Sequence, residues 1–249
     1  MSLSARLAFA VSLLCASSVH QESAMEAITR GRSLKWQMRS QAPFRREAAR
    51  MGAVHSFRAG VGVGTLEQSA QCALRAGELL RAGGLGEAAI EEFVRGAGLG
   101  SSTWSLRCAL TAGKMLTAVG RPAEACHILQ RISGQGVPSR FSESARVQRG
   151  VALWELGRTD SAVATWRAVA EDGVTSRARA DAFERWGQRL LDDGDLEGAA
   201  GVLHLCRVSL SGASLEWTER GNELRALLQN SQLAPAIRRG VHLRHGTGE

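Results

Sequence analysis

The stretch AGELLRAGGLGEAAIEEF, from Ala76 to Phe93, decides how the rest of the chain reads. Its apolar residues fall near helical spacing, yet it carries glycines at 77 and 84. A glycine inside a helix costs about 1 kcal/mol relative to alanine. A position that keeps one needs a turn or the close approach of other atoms. The pattern is Gly-x6-Gly-x4-Ala followed four residues later by a large apolar side chain: Gly77, Gly84, Ala89, Phe93. It returns as Gly113, Gly120, Ala125, Leu129, then as Gly150, Gly157, Ala162, Trp166, and then as Gly187, Gly194, Ala199, Leu203. The first glycines step by 36, 37 and 37 residues. Periodicity of this length marks a helical-repeat solenoid.

Each unit predicts two helices. The first runs through the first glycine and ends at the second, where a left-handed C-cap favours glycine. The next helix follows within a few residues and carries the alanine. The small residues let the two helices of a unit approach closely, and the large residue is expected to fill the layer between neighbouring units. Pro122 sits in the first helical turn, where a missing N–H costs nothing. Asp195 is placed to cap the helix after it. Polar joints, GAGLGSS, SGQGVPS, EDGVTS and SLSGAS, separate the units. The expected units are residues 67–101, 102–138, 139–175 and 176–212, with a capping helix over 213–239 that lacks the second glycine, and a flexible tail over 241–249.

These residues resemble the tetratricopeptide repeat. The small residue of the first helix, the turn glycine, the alanine and the large apolar residue agree in four copies across about residues 67–230. The departures are units two or three residues longer than the family's 34, an early aromatic clear only as Trp104, and a terminal proline matched only approximately, by Pro138. The resemblance implies an all-α, right-handed αα superhelix whose concave groove, lined by first helices, holds a peptide or a partner helix. It places Gln71, Leu74, Glu78 and Arg81 in the groove from the first unit, and Arg107, Leu110, Lys114 and Thr117 from the second. From the third come Ser144, Val147, Val151 and Trp154, and from the fourth Asp181, Glu184, Gln188 and Leu191. Trp154 is the expected anchor, because tryptophan is enriched at binding hot spots; a buried packing role competes with that reading. The family's carboxylate clamp for chaperone tails is not matched, since its places hold Leu74, Glu78, Lys114, Ser144 and Gln148.

Charge is unevenly distributed. Residues 1–64 hold eight arginines and one lysine against three glutamates, while the remaining residues hold 22 basic and 21 acidic side chains. The near-neutral repeat region argues against a nucleic-acid partner, although a helical-repeat RNA-binding protein of an organelle stands as an alternative. Residues 1–64 read as a basic leader, mostly disordered, ending in the joint AGVGVG at 59–64. Its first 21 residues carry Arg6, an apolar run too short to span a bilayer, and small residues at 16–18, as a signal peptide would. Its arginine and serine enrichment with few acids matches an organelle transit segment, with the mitochondrion the favoured destination. Secretory export and a cytoplasmic location stay open.

No chemistry emerges. The five cysteines form no C-x-x-C pair, and the four on apolar helical faces are expected as buried hydrophobes. The six histidines form no ligand set, the glycines no phosphate loop, and Asp192, Asp193, Asp195 and Glu197 no calcium loop. No nucleophile, base and orienting group can be assembled. No catalysis, cofactor, metal or transmembrane span is therefore expected. The expected function is a scaffold that binds a protein or peptide partner in its groove; a permanent subunit of a larger assembly is the other alternative.

Overall fold

A computed structural model describes residues 23–38, 43–134 and 137–209. The expected capping helix, the tail and the signal-like segment lie outside them. The described residues form ten helices and no strand: α1 Ala24–Gln37, α2 Pro43–Ala59, α3 Leu66–Ala82, α4 Gly86–Ala97, α5 Thr103–Ala118, α6 Pro122–Arg131, α7 Ser139–Glu155, α8 Thr159–Asp172, α9 Ser176–Asp192 and α10 Leu196–Ser209. The architecture is an all-α helical repeat. Residues up to Val119 make one compact unit and those from Gly120 a second, so the division falls inside the 102–138 repeat. Within the first unit each helix of α1–α5 packs on the next, and α3 also packs on α1 and α5. Within the second the same holds for α6–α10, with α7 packed on α9.

The turn glycines take the conformation the pattern demands. Gly84, Gly120, Gly157 and Gly194 have φ of 78°, 77°, 72° and 77°. After three of them the next N–H reaches back over the helix end: Leu85 to Leu80 O at 3.0 Å, Arg158 to Leu153 O at 2.9 Å and Asp195 to Leu190 O at 2.8 Å. This is the six-to-one bond of a Schellman cap. Pro122 opens α6 as expected. Asp195 Oδ1 accepts from the Gly198 N–H at 2.8 Å and so caps α10.

In α3 and α7 the glycine within the first helix answers to an aromatic ring rather than to a backbone. A Cβ on Gly77 would lie 2.7 Å from the Phe93 ring of its own unit. On Gly150 it would meet Trp166, with Cδ1 at 2.7 Å, while the Trp166 indole N–H donates to Val147 O at 2.9 Å. Phe93 and Trp166 therefore pack into the gap over the glycine of their own hairpin. Trp166 also shares a core cluster with Ala178, Ala182 and Phe183 of the next repeat, as a residue between units would. In the fourth copy a Cβ on Gly187 would lie 3.5 Å from Val202 Cγ1, an ordinary contact distance.

The leader reading needs a larger correction. Residues 24–37 and 43–59 are helices packed on each other and on α3, so residue 65 is no boundary of the folded body. Ala27, Ile28, Ala53, Val54 and Phe57 are fully buried there. The pair is a further copy of the repeat. Gly31 faces the Phe57 ring, with Cζ 2.5 Å from where a Cβ would stand, as Gly77 faces Phe93. Residues 53–64, AVHSFRAGVGVG, align with residues 89–100, AIEEFVRGAGLG, and the joint AGVGVG is the counterpart of RGAGLG. A Cβ on Gly60 would lie 2.7 Å from Cys72 Sγ, as one on Gly96 would lie 2.5 Å from Cys108 Sγ, the same close approach 36 residues on. In α1, Ala24, Ala27, Ile28 and Gly31 hold the registers of Ala70, Ala73, Leu74 and Gly77 in α3. An ion pair ties this copy to the next: Arg58 Nε stands 2.7 Å from Oε1 of the fully buried Glu92, which also pairs with Arg95 at 3.1 Å.

Candidate partner-binding face

First helices of the first unit lie side by side, α1 against α3 and α3 against α5. Their buried registers face the second helices, which leaves one stripe on each first helix for solvent. On α3 that stripe carries Gln71, Glu78 and Arg81, and on α5 Arg107, Lys114 and Thr117. Arg81, Arg107 and Lys114 are exposed, and Gln71, Glu78 and Thr117 are half-buried. Thr117 donates its hydroxyl to Gly113 O at 2.9 Å, so its polar end is committed to its own helix.

Leu74 is the correction in this set. It is fully buried, because three residues before Gly77 is one turn away on the face that meets α4. Val147, at the same register of α7, is buried for the same reason.

The structure also gathers side chains that sequence reasoning did not place on this face. Trp104, at the start of α5, lies under two guanidiniums, Arg75 at 5.7 Å and Arg107 at 5.4 Å from the ring centroid. Glu78 joins them, pairing with Arg75 at 2.8 Å and with Arg107 at 3.6 Å. A ring between two cations and a bridging carboxylate makes a semi-rigid polar platform across α3 and α5. Residues two before and nine before the helix glycine join the stripe at 100° per residue, a signal that only the shared register of all first helices exposes. The register continues onto α1, where Met25, Arg32 and Lys35 take the places of Gln71, Glu78 and Arg81, and all three are exposed.

In the second unit the expected anchor is half-buried. Trp154 stacks on Trp166 with centroids 6.1 Å apart, and Arg189 lies over its ring at 4.6 Å. Val151 and Trp154 both pack against the core cluster built on Trp166, Phe183 and Val202. Arg189 is itself held by Asp192 at 3.2 Å, and Gln188 donates to Asp192 at 2.9 Å. Asp181 and Glu184 are half-buried. Trp154 thus serves the core with one part of its ring and carries an arginine on the rest. Another carboxylate here has a clear structural duty. Glu143, on α7, accepts from the Val174 N–H at 2.6 Å, the Thr175 N–H at 2.9 Å and the Thr175 hydroxyl, and so caps α9 from a different repeat. Burial alone would raise its pKa, but these hydrogen bonds outweigh it and hold the carboxyl below its ordinary value.

Burial pushes the Cys72 thiol up to about 11 and the Cys108 thiol to about 12, so neither is a thiolate at neutral pH. Among the described residues no three histidine, cysteine, aspartate or glutamate side chains cluster as metal ligands. No helix of the described residues is long and apolar enough to cross a membrane.

No protein-family model matches the chain. No curated protein matches it. The crystal structure of BtubC (BKLC) from P. vanneervenii is similar to it at 15% identity, covering 91% of this chain and 87% of that one, with a TM-score of 0.45. A likeness at that score carries no argument about fold or function.

Proposed function

We propose that this chain is a non-catalytic scaffold of the tetratricopeptide-repeat type, which holds a segment of a partner protein against its first helices. The observation that carries the reading is the stripe of the first unit. One set of registers on α1, α3 and α5 is given to the core, and another, on the same helices, stays accessible. Repeats that present equivalent positions side by side form extended binding surfaces, and helix or strand docking uses such surfaces. The platform of Arg75, Trp104, Arg107 and Glu78 supports the reading, because aromatic and arginine side chains are the residues on which interfaces concentrate their energy.

The test is capture of the tagged full-length chain from its source, beside a Lys114→Glu variant. Lys114 is exposed and has no packing duty to lose. The expected result is a protein at equal stoichiometry with the wild type that the variant fails to retain, with unchanged helical circular dichroism. Retention of the same companions by both would overturn the proposal. RNA as the companion would support the alternative of an RNA-binding helical repeat.

A further inference from the structure

We infer that the repeat formed by α1 and α2 extends this face and that the face of the first unit is built for an acidic, extended segment of a partner protein. The inference rests on the scaffold reading and adds the chemistry of the occupant. Its basis is charge and exposure. At the stripe registers of α1, α3 and α5 stand Arg32, Lys35, Arg75, Arg81, Arg107 and Lys114. Two carboxylates share the stripe. Glu78 is neutralised by Arg75 and Arg107, and Glu67 lies out at the first turn of α3. The arginine surplus that reads as a leader property is thus carried in part onto a folded, ordered face.

Beside Lys35 stands Trp36, 71% exposed, and Met25 on the same helix is 55% exposed. Large apolar side chains this open, rimmed by cations, fit a ligand that carries apolar and acidic residues together. Spacing favours an extended occupant in the polyproline II conformation. Packed helices lie about 8–10 Å apart, and one turn of polyproline II, three residues, spans about 9 Å and brings every third side chain to the same side. Acidic side chains at every third residue would therefore meet a cationic helix each time. Single-stranded RNA fits less well. It binds by stacking successive bases on open rings, and of the two tryptophans near this face Trp104 already lies under two guanidiniums.

The test uses the full chain and a fluorescein-labelled peptide of four Glu-Ser-Leu repeats, read by anisotropy at low salt and at about 0.5 M salt, where screening shrinks the reach of each charge. The same peptide with Gln for Glu and a labelled oligouridine of equal length are run beside it. The acidic peptide should bind, lose most of its affinity at the higher salt, and bind about tenfold more weakly to Arg32→Glu/Lys35→Glu. These two side chains are exposed, and circular dichroism should show the variant folded. Equal binding of the Gln peptide, or tighter binding of oligouridine, would overturn the inference. So would an unchanged affinity in the double variant while Lys114→Glu abolishes binding, since the face would then stop short of α1. Self-association of the labelled chain, lost in the double variant, would overturn it in favour of a second copy. If no peptide binds while native capture stays sensitive to Lys114→Glu, the acidic occupant falls and the scaffold stands. If capture is insensitive as well, both fall.

Discussion

Two hairpins of the first unit, α1–α2 and α3–α4, make the same contacts from differently spaced sequences. In both, an aromatic ring covers a helix glycine: Phe57 over Gly31, Phe93 over Gly77. In both, a glycine three residues after the ring packs on a cysteine or its surroundings in the next first helix. They differ between their helices. Gly77 lies 12 residues before Ala89, but Gly31 lies 22 before Ala53. The turn glycine present at 84 has no counterpart at 38, which is methionine. The difference teaches that the repeat is defined by what the ring covers. The turn can be rebuilt at little thermodynamic cost, because loop closure grows only slowly with length.

If the two hairpins are equivalent, their rings should be equally costly to remove. Phe57→Ala and Phe93→Ala should each destabilise the chain by about 3–5 kcal/mol, the usual loss for a buried aromatic. Chemical denaturation of the two variants checks this, and a silent Phe57→Ala would break the comparison. A step smaller, Gly31→Ala and Gly77→Ala should each cost about 1–3 kcal/mol by forcing a Cβ into a packed ring. Removing the Arg58 partner of Glu92 should cost about 1–2 kcal/mol. The carboxylate is fully buried, but Arg58 is 39% exposed and Arg95 remains to pair with it. Thermal melts of Arg58→Ala against wild type measure it.

The smallest effect separates the two hairpins at their first turns. Both open with a capping box, Ser23 with Glu26 on α1 and Thr65 with Gln68 on α3. Hydrogen bonds from the Ser23 backbone and hydroxyl hold the Glu26 pKa below its ordinary value. A lowered folded-state pKa means that the cap's contribution is complete above the unfolded value, about 4.3 for glutamate, and is lost as pH falls through the lower folded one. Amide protection at the start of α1 should therefore fade in acid while that of α3, capped by an amide, persists. Fading of both together would show global acid unfolding instead.

Much of this fold is legible in the sequence because its signals are local. The turn glycines, the Asp195 cap and the first-turn Pro122 each follow from the residue's own backbone chemistry, and each stands where expected. The repeat at residues 24–60 is hard to see in the sequence because its helix glycine and alanine stand 22 residues apart instead of 12, and its arginines give the segment the look of a leader. A comparison of residues 53–64 with 89–100 alone would have found it. The face was half legible. Register gives Arg81, Arg107 and Lys114, but Leu74 shows that a groove position carried over from a family can belong to the core. The contact of Arg75 with Trp104 joins side chains 29 residues apart, and no local pattern encodes it.

The claim at the centre of this account is that residues 24–59 are part of the folded body. Hydrogen exchange of the full-length chain tests it most directly. Amides of α1 and of α2 from about Ala49 to Ala59 should be protected to the same degree as those of α3 and α4, because they share one packed core. Exchange of residues 24–59 at the rate of an unstructured chain, with α3 and α4 protected, would contradict it.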